Sequence, residues 1–226
     1  MGAWAKGLVG AALLLIAAFV SLIYGLYWYG AAALPRQLPL PKHTYSDDLR
    51  SEYWASIDGR GPIAVDRLDP LKVCWDFYRM TETERPGRPD PRWQLLTPMA
   101  RQIAYDAEAQ HPATKWHLTN IAAAIRLSQE RSAEQIVDLT LEHAWMGRDA
   151  KGMHQAALAY YGVPLDQLTR PERISLIALL YGPSYYDPSR NPERFRKRYA
   201  MIAQKAGVPF ERINPEHDLA RLIPAR

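Results

Sequence analysis

In Gly147-Arg148-Asp149-Ala150-Lys151-Gly152-Met153-His154-Gln155-Ala156-Ala157-Leu158-Ala159-Tyr160-Tyr161-Gly162, small and aromatic residues stand in the order G-x4-G-x3-A-A-x2-Y-Y-G. Glycines so placed mark special backbone geometry and close helix packing, or a loop that cradles an anion; the first use is the commoner. Helix signals surround the stretch. Upstream, Ser132 followed by Gln135 is a capping box that opens a helix with Ile136, Val137 and Leu141 on its apolar side. Downstream, Thr169 followed by Glu172 is a second box, with Pro171 in the first turn, where its missing N–H costs nothing. Asn191 before Pro192 opens a third helix, which Gly207 should close in the left-handed conformation. Ile174 to Leu180 is apolar on nearly all sides and belongs at the centre of the core. No segment beyond Trp93 alternates with period two, so the domain is expected to be mostly α.

The amino-terminal end is of a different kind. Leu8 to Tyr29 carries no charge and is long enough for the roughly 20 apolar residues a membrane helix needs. A cleaved secretory signal is the rival reading, with Ala31, Ala32 and Ala33 as a cleavage site, but the run exceeds the usual h-region of about 7–15 residues. Trp4 at one end and Tyr24, Tyr27, Trp28 and Tyr29 at the other fit interfacial aromatic belts. Lys6 on one side and Arg36, Lys42 and Arg50 on the other leave orientation undecided by charge. Ala17, Ser21 and Gly25 recur every four residues and offer a small-residue stripe for a partner helix. Pro35, Pro39 and Pro41 then make a stiff linker, and a second irregular zone runs from Arg85 to Arg92. The expected division is an anchor over 1–34, a linker and N-terminal lobe over 35–92, and a helical domain over 93–226.

Net charge +4 over 226 residues suits an anionic surface or substrate. Without a basic run or aromatic-basic interleaving, no nucleic-acid partner is expected. The single Cys74 excludes an internal disulfide, and the six histidines show no H-x3-H or H-E-x-x-H spacing, so no metal or other cofactor is called for.

Taken in order, the stretch above, Leu168-Thr169 with Glu172, Ala178-Leu179-Leu180, Pro183, Tyr185-Tyr186-Asp187-Pro188, Asn191-Pro192-Glu193-Arg194 and Lys197-Arg198 resemble the C-terminal half of family 51 glycosyltransferases. These are the peptidoglycan transglycosylase domains of penicillin-binding proteins and the monofunctional transglycosylases. The resemblance is co-linear from about Ser132 to Gly207. It implies a lysozyme-like helical domain that polymerises lipid II, with peptidoglycan or its lipid-linked precursor as partner. It further implies a bacterial inner-membrane protein, single pass, with its C-terminal domain in the periplasm.

Upstream the resemblance fades. Trp93 to Ile103 stands against the family's S-T-I-T-Q-Q-L-A-K-N-L and keeps Ala100 and the basic Arg101. The second family glutamate, closing R-K-x-x-E, falls on Asn120. The first, in E-D-x-x-F-x-x-H-x-G, has no counterpart; the nearest string is Cys74-Trp75-Asp76-Phe77-Tyr78. The stretch from Phe77 to Trp93 is also shorter than the family's lipid-facing region, so a reduced substrate-facing lobe is expected.

The chemistry makes these losses count. Joining a sugar hydroxyl to an anomeric carbon as lipid pyrophosphate departs needs a carboxylate to take the proton. It also needs cationic help on the leaving group. Asn120 accepts no proton at neutral pH. Glu142, where the family has asparagine, and Asp76 are the carboxylates available for relocation, Glu142 also being readable as a solvated helix face. Arg101, Lys197 and Arg198 are the candidate substrate-binding cations; Arg190, Arg194 and Arg196 extend a basic cluster that fits phosphate or lipid headgroups or, equally well, a solvated helix face. Three functions compete: a catalytically inactive relative serving a membrane complex as accessory or structural subunit, an active glycosyltransferase with relocated carboxylates, and a peptidoglycan-binding or hydrolysing module.

Overall fold

The computed structural model describes residues 3–82, 90–108 and 113–224. Its elements are almost all helices, and they gather into two compact units that interleave along the chain. Unit 1 draws on Met1–Leu38, Asp66–Pro89 and Ala100–Glu130, and unit 2 on Pro39–Val65, Asp90–Met99 and Arg131–Arg226.

Unit 1 is organised by helix α5 (Ala113–Glu130), which packs against α1 (Ala3–Ala31). Gly30 permits the approach, because a Cβ there would run into the Leu118 carbonyl. Thr119 Oγ1 then donates to the Gly30 carbonyl at 3.2 Å. One turn beyond Ala122 and Ala123, both buried, Arg126 donates to the carbonyls of Pro35 and Arg36 at 2.7 and 2.9 Å. Ser128 and Gln129 hold Leu68 through its N–H (2.9 Å) and carbonyl (2.6 Å). Asp69 next accepts from Leu71 and Lys72 N–H and starts α3 (Pro70–Glu82), which also packs on α1. Helix α1 contains Lys6–Ala31, long and apolar enough to cross a membrane.

Unit 2 is built around α8 (Arg170–Leu179), whose residues from Ile174 to Leu179 are wholly buried, as the apolar run predicts. Helices α9 (Pro192–Lys205) and α2 (Asp47–Ser56) pack on it. Phe195, Tyr199 and Ile202 form the buried stripe of α9. Helix α6 (Ala133–His143) buries Ile136, Val137, Leu139 and Leu141 and faces α7 (Gly152–Tyr161). A single turn, α10 (Pro215–Asp218), ends the series. The expected caps are present: Gln135 closes the box on Ser132, Glu172 reaches back to Thr169 N–H at 2.8 Å, and Asn191 with Pro192 opens α9. Gly207, at φ +80°, closes α9 in a Schellman motif, with Val208 N–H to Ala203 O at 2.9 Å and Gly207 N–H to Gln204 O at 3.0 Å.

The mostly α architecture is as expected, and two local features depart from the sequence signals. Most of the irregular zone Arg85–Arg92 lies outside the described residues, but its end is helical: Asp90 caps α4 (Pro91–Glu108), with Pro91 at the first position. Second, a short antiparallel hairpin, β1 (Trp145–Gly147) and β2 (Ala150–Lys151), sits among the helices. Its tip residues Arg148 and Asp149 both have positive φ (51° and 55°), the mark of a type I′ turn. Strands of three and two residues are too short for alternation to register, and Arg-Asp lacks the usual Asn-Gly signal.

Ion pairs made by buried acids tie the polar elements of unit 2 together. Arg50 on α2 grips Asp138 on α6 with two bonds of 2.8 and 2.6 Å. Glu52 receives Arg170 and Arg173 of α8, and Arg221 meets Glu172 at 2.8 Å.

Gly152 has φ +76°, and a Cβ there would strike the carbonyl of Glu142, whereas Gly61 at φ +66° has open space around it. Gly61→Ala therefore bears only the left-handed penalty of about 1–2 kcal/mol. Gly152→Ala adds a backbone clash, and its thermal unfolding midpoint in detergent should fall clearly below that of Gly61→Ala.

Candidate functional site

The carboxylate candidates are in different units, and both are engaged. Glu142, at the end of α6 in unit 2, is not on a solvated face: its side chain is only 11% exposed. One oxygen accepts from Lys42 N–H at 2.7 Å and His43 N–H at 3.3 Å, so the carboxylate anchors the segment that follows the proline linker. Tyr45 N–H leans on Asp138 at 3.4 Å, one turn back on the same helix. Around this anchor the His43 and His154 rings lie 4.8 Å apart, and Tyr45 stacks on His154 at 5.4 Å. Burial first, and the neighbouring His43 second, hold His154 below the usual histidine range. The Tyr45 hydroxyl is pushed up by burial and by Glu142 and Asp138.

Asp76, on α3 in unit 1, is 2.9 Å from Lys72, which also meets Asp66 at 3.7 Å. Asn120 is on α5 beside Thr119, and its Oδ1 is buried with no hydrogen-bond partner. The residue on which the resemblance places the family's second glutamate is thus a buried neutral amide. Among the described residues no group of three or more His, Cys, Asp or Glu could hold a metal ion.

The cations divide similarly. Arg101 is exposed on α4 in unit 1. On α9 in unit 2, Lys197 is exposed, while Arg198 is half-buried 5.4 Å over the rings of both Tyr181 and Tyr186. Arg194 lies 4.5 Å over Tyr185, so the tyrosine turn and the basic helix form one stacked surface.

A cleft of about 660 Å³ opens beside the hairpin, lined by Trp145, Arg148, Asp149, Asp187 and Arg190 among others. Sequence reading passed over Trp145 and Arg148. Arg148 is structural: it donates to Ile223 O (2.6 Å), Ser189 Oγ (2.9 Å) and Ala159 O (3.3 Å) and stacks 4.1 Å over Tyr160. Burial raises the Tyr160 hydroxyl to about 12, and it donates to Met146 O at 2.8 Å. Asp187 accepts from the N–H groups of Ser189 and Arg190. That leaves Trp145, half exposed, with the exposed side chains of Asp149 and Arg190, so an indole, an acid and a cation line the opening. The signal for this cleft was the glycine pair itself: Gly147 lies against Tyr160 and Pro183, and Gly152 against α6. Both serve backbone geometry, as their commoner use predicts.

The small-residue stripe of α1 is open. Ala17, Ser21 and Gly25 are exposed, and nothing lies within 4 Å of a Cβ built on Gly25. The face turned to unit 1 is a different one, through Ile23, Tyr27 and Gly30.

The transglycosylase family model matches residues 98–207. A Cupriavidus necator protein bearing a transglycosylase name is 34% identical over 110 residues, 48% of this chain and 47% of that protein. Penicillin-binding protein 1A of Mycobacterium tuberculosis is 34% identical over 112 residues, 45% of this chain and 14% of its own. Penicillin-binding protein 1B of Vibrio cholerae is 27% identical over 150 residues, 64% of this chain and 18% of its own. The chain thus spans about half the length of the first relative and under a fifth of the other two.

If Glu142 is an anchor, its replacement acts on stability. Glu142→Gln keeps an acceptor for Lys42 and His43 and should melt near the parent. Glu142→Ala strands two backbone donors and should lose about 1–3 kcal/mol, read from unfolding midpoints.

Proposed function

With residues 98–207 forming a transglycosylase domain of glycosyltransferase family 51, we propose that this protein keeps the family's helical framework without its catalytic base. In this reading it is a membrane-anchored, catalytically inactive member of the peptidoglycan machinery, an accessory or structural subunit of a membrane complex. The observation that carries the reading is Asn120, a neutral amide on the family's glutamate position. The reaction removes a proton from a sugar hydroxyl, and a general base contributes about 10²–10⁴-fold to such a step. The carboxylates best placed for relocation support the same conclusion, since Glu142 holds backbone N–H groups and Asp76 holds Lys72. The resemblance assigns the protein to the bacterial inner membrane, with the domain on the periplasmic side, where the family's substrate is used.

The binding-module reading draws on one feature, the cleft with exposed Trp145 and Arg190 on its rim. It is compatible with the inactive one: a chain that no longer polymerises glycan strands still has a surface on which to hold one.

Purified full-length protein given lipid II should form no glycan chains. Glycan chains that vanish with Glu142→Gln would replace the inactive reading with the relocated-carboxylate one. The subunit role has its own test in the open α1 stripe. Ser21→Leu with Gly25→Leu raises hydrophobicity and so preserves insertion, but fills the notch that lets helices approach. The double variant should lose its co-purifying membrane partners; unchanged co-purification would move the attachment away from this stripe.

A further inference from the structure

A cavity of about 600 Å³ lies in unit 2 between α2, the turn at Gly59 and Gly61, the start of α8 and the end of α9. That is the size of a small-ligand pocket. It shares no lining residue with the cleft beside the hairpin. Its α2 wall and glycine rim come from residues 48–61, ahead of the 98–207 that the family model matches, so the family's chemistry does not account for it.

Several polar groups around the cavity are engaged. Arg170 donates to Glu52 at 3.2 Å and to the Ala206 carbonyl at 2.6 Å. Lys205 donates to the Ser56 carbonyl at 3.1 Å and pairs with Asp58 at 3.0 Å. Three lining residues of α2 are different. Asp48 and Ser51 are exposed, and their side chains bond to no described residue. Trp54 is only 5% exposed, and its buried indole Nε1 has no hydrogen-bond partner. Spacing of three residues sets the three along one side of the helix. Gly59 fixes the ring, because a Cβ there would collide with it and the turn instead rests against the indole. A buried donor left unpaired is costly, and a buried indole N–H usually finds an acceptor. With no acceptor in the wall, it has to come from inside the cavity that Trp54 lines.

The unpaired groups define what fits. The indole N–H needs an acceptor, the Asp48 carboxylate needs a donor, and the Ser51 hydroxyl takes either. An anion alone fits poorly beside Asp48 and Glu52, and a cation or a hydrocarbon leaves the indole unpaired. A secondary amide carries an acceptor and a donor in one planar unit. We infer that this cavity binds a secondary amide, its carbonyl oxygen accepting from Trp54 Nε1 and its N–H donating to Asp48, with Ser51 at the mouth. A peptide backbone and an acetamido sugar both offer that group. The inference holds whether or not the transglycosylase framework is catalytic.

The test uses the full-length protein in detergent, with isotope-labelled tryptophan indoles followed by NMR. Trp54→Phe assigns the Trp54 signal by its loss, and Trp145 reports on the hairpin cleft. Two probes are titrated separately: N-acetylglucosamine, and alanine blocked as its N-acetyl N-methylamide. The Trp54 indole proton should move downfield, saturably, with at least one probe, and the probe that acts names the source. Ser51→Leu, which fills the mouth from an exposed position, should abolish the movement. Asp48→Ala, also exposed, should weaken binding about tenfold, the worth of one hydrogen bond to a charged group. A Trp54 signal that neither probe moves overturns the inference, whether or not bound water contacts the indole. Movement at Trp145 but not at Trp54 overturns it as well and puts the probe in the hairpin cleft. Movement of Trp54 that persists unchanged in Ser51→Leu overturns it too, because the probe then acts from another surface.

Discussion

The two bonds from Arg50 to Asp138 are the interaction on which unit 2 depends. The Asp138 side chain on α6 is only 2% exposed, and an unpaired carboxylate at that depth would cost several kcal/mol. Pairing it draws α2 onto α6 and carries the segment after the proline linker with it, because Tyr45 N–H reaches the same carboxylate. The pattern repeats. Glu52 receives two arginines of α8, Glu172 receives Arg221 near the C-terminal end, and Glu142 receives two backbone N–H groups. The buried acids of this unit are its fasteners.

That use of carboxylates bears on function. A general base must be free to take a proton and must stand where substrate arrives. Carboxylates held by arginines and amides are already engaged and little exposed, and converting them to catalysis would loosen the fold. The proposed inactive role rests on Asn120, and it is supported by the engagement of Glu142 with two backbone N–H groups and of Asp76 with Lys72.

Local signals made much of this legible in the sequence. The two capping boxes, proline at the first turn, Gly207 and the apolar run Ile174–Leu180 each act within a few residues of themselves, and each appears where the pattern puts it. Pairings across the chain were illegible, since Arg50 and Asp138 lie 88 residues apart and Glu52 and Arg173 lie 121 apart. Glu142 was readable as either a base or a solvated residue because charge alone does not reveal its backbone partners. The hairpin was missed because its turn uses Arg148 and Asp149 where glycine or asparagine would give it away. Interleaving of the two units, with residues from Asp66 joining α1 and α5, leaves no periodic trace at all.

The most direct measurement is the native-state reactivity of the carboxylates toward a water-soluble carbodiimide and an amine, read by mass spectrometry residue by residue. Exposed acids such as Glu134 and Glu211 serve as internal standards. Asp138, Glu142, Glu52 and Glu172, with side chains 2%, 11%, 5% and 3% exposed, should stay unmodified until the protein is unfolded. Rapid modification of Glu142 in the folded protein, at the rate of the exposed standards, would show a carboxylate presented to incoming reagents. It would contradict the account of this domain as a transglycosylase framework without its base.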